Sequence, residues 1–427
     1  MFKTLKLLFN KKNKDIQKRV LFTLGCLFVF IIGKTIPVPG TQGAVSDLDL
    51  WGLYDAISGG ALARFSIFSL GVMPYISASI ITGILQMDII PYFVELKEQG
   101  ATGRQKINQI NRYLGLGIAF VQGFSMAFAF VENGTAIEYL KIAIMLTAGT
   151  AFLLWLGDRI TQKGIGNGIS LLIMAGIISS IPNMFIETFQ SLVIGNESSL
   201  FLGILSFILF ILVYIGIIVG IVYIEKSERR IPIQYANQTS SAYGAKQNYI
   251  PFKLNSASVM PVIFASVIFT IPSFIAGLMD SESAFAEFVS KYVNYTTPVG
   301  FTAYMLIIIM FCFFYTFLQI NPEELSKNLN KNGGYIPGVR PGKETKEYIS
   351  TVIGRITFIG AISIAVIAGL PIIFSSFIDT GLPSSVSIGG TSILIVIGVA
   401  LDTYNQLENS LLNRSYRGKK LWEILYL

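Results

Sequence analysis

Histidine is absent from this sequence, and two further classes of side chain are scarce. Without histidine the chain has no histidine general base, no histidine proton relay and no HExxH metal site. Only two cysteines occur, Cys26 and Cys312, and we expect both to be packing residues because they lie inside apolar runs. Charged residues make up 13% of the chain, whereas soluble domains carry about 25%. These shortages argue against a soluble domain and against a membrane-embedded enzyme, and no catalytic residue, cofactor or metal ligand is predicted.

Long apolar runs are correspondingly common in this chain. Hydrophobic residues form 52% of the chain, and the mean hydropathy is +0.62. Many runs exceed the roughly 18 residues that indicate a membrane-spanning helix. The predicted fold class is therefore an all-α polytopic membrane protein with ten transmembrane helices. The predicted spans are residues 20–36, 67–87, 113–131, 139–157, 168–186, 200–224, 257–278, 300–320, 352–375 and 390–410.

The lysines and arginines are distributed unevenly among the predicted loops. If the N-terminus lies in the cytoplasm, 27 of the 32 basic residues fall in cytoplasmic segments, and only Arg64 and Lys291 fall in outer loops. Cytoplasmic loops carry an excess of lysine and arginine in membrane proteins, so this distribution predicts that both termini are cytoplasmic. It also supports the count of ten, because one missed span would place basic loops on the wrong side. The net charge of +7 is then mostly topological and does not indicate nucleic-acid binding.

Ten spans divide into two halves of five. An odd number of spans per half places the halves in opposite orientation, which is the inverted-repeat plan of many transport proteins. The predicted organisation is an amphipathic cytoplasmic N-terminus (1–19), an N-terminal half (20–186), an external hinge loop (187–199), a C-terminal half (200–410) and a cytoplasmic tail (411–427). Two long cytoplasmic loops, 225–256 and 321–351, belong to the C-terminal half.

The second predicted span has a broken front end, SGGALARFSIFSLGVMPYISASI. Gly59 and Gly60 favour the end of a helix, and Pro74 favours the beginning of another. We therefore expect a short half-helix over about 50–62, a turn, and a crossing that starts near residue 70. Broken helices are tolerated at membrane depth where they are buried in protein or line a cavity. Arg64 is expected to face a cavity or the outer interface, and an ordinary outer loop that dips against the protein is the alternative.

Two basic motifs lie in the long cytoplasmic loops. ERRIPIQYA presents Arg229 and Arg230, and GGYIPGVRPGKET presents Arg340 and Lys343. Prolines and glycines stiffen these loops, and exposed loops on rigid scaffolds often carry binding functions. The motifs indicate either a docking surface for an acidic or RNA-rich cytosolic partner or a simple cluster of cytoplasmic charge.

Ionisable residues are rare inside the predicted spans, and Asp402 is one of the few. Ion-coupled transporters usually carry such residues near the membrane midplane. An ion-coupled small-solute transporter is therefore possible from composition but poorly supported.

Six motifs, spread in order from the second predicted span to the tenth, are similar to those of the bacterial SecY family, the central subunits of the Sec protein translocase. They are SGGALARFSIFSLGVMPYISASI, KGIGNGISL, ERRIPIQYA, KLNSASVMPVIFAS, IPGVRPGKET and GGTSILIVIGVALDT. The resemblance implies a protein-conducting channel in the bacterial cytoplasmic membrane. Such a channel moves unfolded secretory proteins across the membrane and inserts membrane proteins into it. It is not an enzyme, because the motor SecA hydrolyses the ATP.

The resemblance also implies roles for particular residues. The plug, a half-helix that closes the pore from the outer side, would span about 50–64 and include Leu53, Tyr54, Ile57, Ser58, Gly59, Gly60 and Arg64. The apolar pore ring would consist of Val72, Ile76, Ile169, Ile173, Ile263 and Ile395. The lateral gate would include Gln86, Gln122, Ser266 and Phe269. The surface that docks SecA or the ribosome would include Arg229, Arg230, Arg340 and Lys343.

The implied partners are the small subunits SecE and SecG, the motor SecA and the ribosome. Signal sequences, unfolded preproteins and membrane lipids are the other expected partners, and ribosomal RNA is the one nucleic acid that the docking surface could contact. An accessory SecY that exports a few specialised adhesins is the first alternative. The full-length basic loops argue against it, because they suit a general docking surface.

Overall fold

The structure is a computed structural model, and it describes residues 13–39, 41, 54–55, 58–86, 90–131, 134–194, 200–235, 248–276, 279, 283–294, 297–374 and 385–425. The described part is mostly helical, and strands from two separate connecting segments form a small sheet. Of the predicted plug residues, Leu53 and Ile57 lie outside the described residues.

Thirteen α-helices are described. They are α1 (Lys14–Lys34), α2 (Met73–Leu85), α3 (Pro91–Glu98), α4 (Ala101–Phe130), α5 (Ala136–Lys163), α6 (Gly168–Phe189), α7 (Leu200–Lys226), α8 (Met260–Ala276), α9 (Ala284–Phe288), α10 (Pro298–Gln319), α11 (Pro322–Lys331), α12 (Lys343–Ile372) and α13 (Ser385–Leu425). Each of the ten predicted spans falls on one of them, and α3, α9 and α11 are additional short helices. Two π-helical turns, Gln190–Ile194 and Val289–Val293, follow α6 and α9.

Seven of the described helices are long and apolar enough to cross a membrane, and α2 and α8 are shorter apolar helices. Local sequence explains where two of the site-forming helices begin. Pro74 lies in the first turn of α2, where its missing N–H costs no hydrogen bond. The side-chain oxygen of Asn167 accepts hydrogen bonds from the backbone N–H groups of Ile169 and Ser170, which caps the N-terminus of α6.

The membrane-embedded helices share one contiguous apolar core, to which helices α1, α2, α4, α5, α6, α7, α8, α10, α12 and α13 contribute buried side chains. Helix α7 is different, because it has the highest hydropathy of the candidate spans and only 11% of its most apolar window is buried inside the chain. A helix that is apolar all round suits a lipid environment, so most of α7 is suited to contact lipid. Cys26 and Cys312 are both free and buried in the apolar core, in agreement with their prediction as packing residues.

A three-stranded antiparallel sheet joins the two long loops that the sequence predicts to be cytoplasmic. Strand β1 (Glu228–Tyr235) lies between β2 (Asn248–Lys253) and β3 (Gly334–Tyr335), so the order is β2-β1-β3. Alternate β1 side chains, Ile231 and Ile233, enter a second apolar core with residues of α11 and α12. We call this sheet, together with α11, the loop that follows β3 and the first turns of α12, the cytoplasmic unit, after the side of the membrane that the sequence predicts for it. Sequence reasoning predicted two stiff loops and did not predict that they pair.

Candidate functional site

An irregular segment precedes α2 and is buried inside the helical bundle. Between Ser58 and Val72 the backbone forms turns, and Ala61, Leu62 and Leu70 are fully buried. Two backbone hydrogen bonds tie this segment to the chain that leaves α1, from Val38 to Phe65 (2.9 Å) and from the Ile67 N–H to the carbonyl oxygen of Ile36 (3.0 Å). Irregular backbone at membrane depth is tolerated where it is enclosed by protein, and this segment meets that condition.

The predicted plug residues that the structure describes occupy the start of this segment. Tyr54, Asp55 and Ser58 are helical, and the helix gives way to a turn at Gly59 and Gly60, whose φ angles are 76° and 78°. Such positive φ angles suit glycine, so the predicted helix end is confirmed. The Ala63 N–H donates to the Asp55 carboxylate (2.8 Å). The Arg64 side chain is exposed.

The Gly59 turn is held against α6 by close approach and by hydrogen bonds. A Cβ atom at Gly59 would overlap the backbone of Gly176, so the two backbones touch directly. Lys34, at the end of α1, donates hydrogen bonds to the carbonyl oxygen of Gly59 and to the hydroxyl of Ser179 on α6. The Tyr54 hydroxyl donates to the carbonyl oxygen of Leu70 at 2.9 Å. We call this set of contacts the plug seat.

The six residues predicted for the pore ring come from four helices, with Val72 at the N-cap of α2. Five of them are buried members of the large apolar core: Val72, Ile76, Ile173, Ile263 and Ile395. Ile169 is only partly buried and packs beside Gly157 of α5, where a Cβ on that glycine would lie 3.1 Å from its Cγ1 atom. The structure therefore brings all six into one apolar region, and Ile169 also faces a neighbouring helix.

The predicted lateral gate falls where α2 packs against α8. A cavity of about 40 Å³ lies there, lined by Tyr54, Met73, Ser77, Gln122, Val267, Thr270, Ile271 and Phe274. Gln122 of α4 lines this cavity, and its buried Oε1 atom has no hydrogen-bond partner among the described residues. We call this junction of α2, α4 and α8 the gate seam.

The other three predicted gate residues make contacts elsewhere. The hydroxyls of Ser266 and Tyr304 are 3.0 Å apart, and Phe269 packs edge-on against the Tyr304 ring, so this face of α8 is turned toward α10. Gln86 ends α2 and donates to the carbonyl oxygen of Thr82 at 3.0 Å. Ser77 and Thr270 line the seam and were missed. Helical periodicity could have indicated Thr270, because this residue lies one turn after Ser266 on the same helix.

The predicted docking residues all lie on the cytoplasmic unit and are exposed. Arg229 and Arg230 belong to β1, and the Arg230 guanidinium lies 4.7 Å from the centre of the Tyr249 ring. A hydrogen bond to Glu228 raises the pKa of Arg230, so this side chain keeps its charge. The side chain of Arg340 is 87% exposed and lies 3.8 Å from Glu344. Lys343 begins α12.

Glycines give the Arg340 loop its shape. Gly338 and Gly342 flank the arginine with φ angles of 83° and 104°, which side-chain-bearing residues rarely adopt. The Thr345 hydroxyl donates to the carbonyl oxygen of Arg340 at 2.8 Å. The loop is therefore fixed on both sides of an arginine that points into water.

The sequence has many relatives among known proteins. A family model named SecY matches residues 66–404. The protein translocase subunits SecY of Halalkalibacterium halodurans and Bacillus subtilis are each 44% identical to this chain, over 98% of its length and 99% of theirs. That of Staphylococcus aureus is also 44% identical, over 95% of this chain and 97% of its own.

Solved structures share the fold. The structure of a protein-conducting channel aligns with this chain at a TM-score of 0.67 and 20% identity, and the alignment covers 92% of each chain. A SecY channel, described by the role of its plug domain in stabilising the closed state, gives a TM-score of 0.68 at 19% identity and the same coverage. Sec61 from a canine ribosome-channel complex gives 0.63 at 19% identity, again over 92% of both chains. The chain is thus a multi-pass membrane protein with the fold of these channels.

Proposed function

The chain belongs to the SecY family of protein translocase subunits, and we propose that it is the protein-conducting channel through which unfolded polypeptides cross a membrane or enter it. The observation that carries this proposal is the buried irregular segment that precedes α2. In solute transporters such irregular segments line a substrate or ion site, whereas here Leu62, Phe65 and Leu70 pack into the apolar core. A channel that must stay sealed between substrates needs a removable stopper, and the plug of the structurally similar SecY channel stabilises its closed state.

The apolar residues beneath the plug act as the pore ring in this proposal. A narrow ring of aliphatic side chains excludes water and ions when it is closed. Aliphatic contacts are non-directional, so Val72, Ile76, Ile173, Ile263 and Ile395 can part around a polypeptide and close again without re-forming specific bonds. The partly buried Ile169 completes the ring on the α6 side. The membership of these six in one apolar region supports the assignment.

The gate seam is the route by which an apolar segment leaves the channel for lipid. Helices α2 and α8 are the shortest of the apolar helices, and the cavity between them weakens their packing. A signal sequence would enter as an apolar helix between α2 and α4 on one side and α8 on the other. We assign the seam to Ser77, Gln122 and Thr270, with Gln86 at its cytoplasmic end. Ser266 and Phe269 support α8 from behind.

The cytoplasmic unit is the surface on which the partner that drives translocation docks. The channel has no catalytic role of its own, so SecA hydrolysing ATP, or a translating ribosome, drives the polypeptide. A relative in fold, Sec61, was seen in a complex with a ribosome. SecE and SecG complete the assembly in the bacterial cytoplasmic membrane. Both termini and the cytoplasmic unit face the cytoplasm in this arrangement, which the uneven distribution of lysine and arginine supports.

Reversing the charge of Arg340 tests the docking surface. Arg340→Glu should reduce SecA-driven export at least tenfold, because the exposed arginine is replaced by a charge that repels an acidic partner. The protein should still accumulate in the membrane, since the side chain packs against nothing buried. Lys14→Glu is the matched control, because it reverses an exposed charge at the start of α1, away from the cytoplasmic unit. Equal export by the two variants would count against the docking role.

Protease protection in reconstituted vesicles tests the proposed function. The chain is inserted together with its small partner subunits, and SecA, ATP and a labelled preprotein are added outside. ATP-dependent protection of the preprotein would support a general translocation channel. Protection only with a specialised adhesin and its own motor would favour the accessory alternative, and protection with neither would contradict the proposal.

A further inference from the structure

Lys34 is unusual among the basic residues of this chain. Of the lysines and arginines whose side chains the structure describes, Lys34 alone is buried, with 7% of its surface exposed. Burying an ammonium group is costly unless hydrogen-bond acceptors surround it. The buried ammonium group of Lys34 therefore requires hydrogen-bond acceptors nearby. The identity of these acceptors indicates the role of Lys34.

The acceptors of Lys34 come from two segments that are distant in sequence. One is the carbonyl oxygen of Gly59 in the plug, and the other is the hydroxyl of Ser179 on α6. The Ser179 hydroxyl donates in turn to the carbonyl oxygen of Gly176 at 2.6 Å, and Gly176 is the residue whose backbone touches Gly59. The four residues thus form a closed circuit of contacts that joins α1, the plug and α6.

Charges near the circuit act on the ammonium group in both directions. Asp55 and Arg64 of the plug are both close enough to interact electrostatically with Lys34, the first by attraction and the second by repulsion. The Asp55 carboxylate belongs to the same turn as Gly59, because the Gly60 N–H donates to the carbonyl oxygen of Asp55 at 2.8 Å. Moving the plug would therefore remove from Lys34 a carbonyl acceptor, together with the attraction of Asp55 and the repulsion of Arg64.

We propose that Lys34 is a positioning residue that latches the plug to α1 and α6 in the closed channel. The inference rests on the proposed channel function and extends it to the residue that sets how readily the plug leaves. The latch contacts exist only while the plug is seated, so they stabilise the closed state and not the open one. Lys34, Gly59 and Ser179 all belong to the N-terminal half, so α8 can move without breaking the circuit.

The first variant to measure is Lys34→Met, which keeps the length of the side chain and removes its charge. In reconstituted channel complexes we expect the resting ion conductance to rise roughly tenfold, the factor that corresponds to the loss of one charge-assisted hydrogen bond. Export of a preprotein with a defective signal sequence should rise in parallel. Lys34→Arg keeps the charge and should restore both readouts. Lys291→Met, which removes an exposed outer lysine, is the matched control and should change neither.

Three outcomes separate the latch from the channel itself. If the wild-type chain gives no ATP-dependent protection of a normal preprotein, the proposed function fails whatever Lys34 does. If the wild type translocates but Lys34→Met keeps wild-type resting conductance and signal discrimination, the latch is wrong and the channel stands. If Lys34→Met does not accumulate in the membrane, Ser179→Ala replaces it in both assays. That variant removes one acceptor only and should raise resting conductance about threefold, and no rise would overturn the latch.

Discussion

The plug seat and the gate seam are neighbouring interfaces that are built in opposite ways. The plug seat is held by directional contacts: two hydrogen bonds from Lys34, one from Tyr54, and a backbone approach that needs glycine on both sides. The gate seam is held by apolar packing around a small cavity, and the buried carbonyl oxygen of Gln122 has no partner there among the described residues. Tyr54 belongs to both, because it bonds within the seat and lines the cavity of the seam.

This difference explains how one helical bundle can hold the plug in place and still let the helices at the gate seam separate. Directional bonds give a single seated position for the plug, because each bond is lost on a small displacement. Apolar surfaces can separate and re-pack in many positions, and an incompletely satisfied polar group lowers the cost of separating them. We therefore expect changes in the seat to loosen the closed state, and apolar changes in the seam to tighten it.

The largest effect is expected from adding a methyl group to the seat. Gly59→Ala should unseat the plug, because its Cβ would overlap the backbone of Gly176 and because its φ of 76° disfavours alanine. Left-handed backbone costs about 1–2 kcal/mol for such a residue, and overpacking adds about 1–3 kcal/mol. The readout is resting ion conductance in planar bilayers, which should rise more than tenfold.

Gly60→Ala is an unusually close control for that variant. Its φ is 78°, so it incurs the same backbone cost, but its Cβ would meet only the Nζ atom of Lys34, at 4.0 Å. We expect a rise of tenfold or less. Equal conductance in the two variants would show that backbone strain, and not contact with α6, controls the plug.

An opposite and smaller effect is expected at the seam. Gln122→Met keeps the side-chain length and removes the buried carbonyl oxygen that lacks a partner. Apolar replacement of such a group is neutral or stabilising, and a gain of about 1 kcal/mol would close the gate about fivefold more firmly. Export of a preprotein with a weak signal sequence should fall by that factor, while a strongly apolar signal should be little affected. Faster export of the weak substrate would contradict the contrast between seam and seat.

Much of this fold could be predicted from the sequence, because the strongest determinant was composition. The bilayer requires apolar runs of a given length, so all ten predicted spans fall on helices. Local chemistry also predicted where the plug helix ends and where α2 begins, since Gly59 and Gly60 permit positive φ angles and Pro74 fixes its own φ and lacks an N–H.

The contacts that decide function were harder to predict, because they join segments that are distant in sequence. Nothing local to Lys34 indicates that its acceptors lie at Gly59 and Ser179. The pairing of β1 with β3 likewise joins two loops separated by three helices. At the gate, the resemblance implied Ser266 and Phe269 of α8, whereas the α8 residues that line the seam are Val267, Thr270, Ile271 and Phe274. The exposure of Arg229, Arg230 and Arg340 could be predicted, because an exposed side chain needs no partner.

A smaller effect than that of Gly59→Ala is expected from Tyr54, which links the two interfaces. Tyr54→Phe removes the hydroxyl that donates to the carbonyl oxygen of Leu70 and keeps the ring that lines the cavity of the seam. One neutral hydrogen bond contributes about 0.5–1.5 kcal/mol, so resting conductance should rise by a factor of about two to ten, below the effect of Gly59→Ala. Export of the weak-signal preprotein should rise no more than conductance does, because the apolar side of the seam is unchanged. A larger rise in export than in conductance would place the hydroxyl in the gate, and the division between a bonded seat and an apolar seam would then have to be redrawn at this residue.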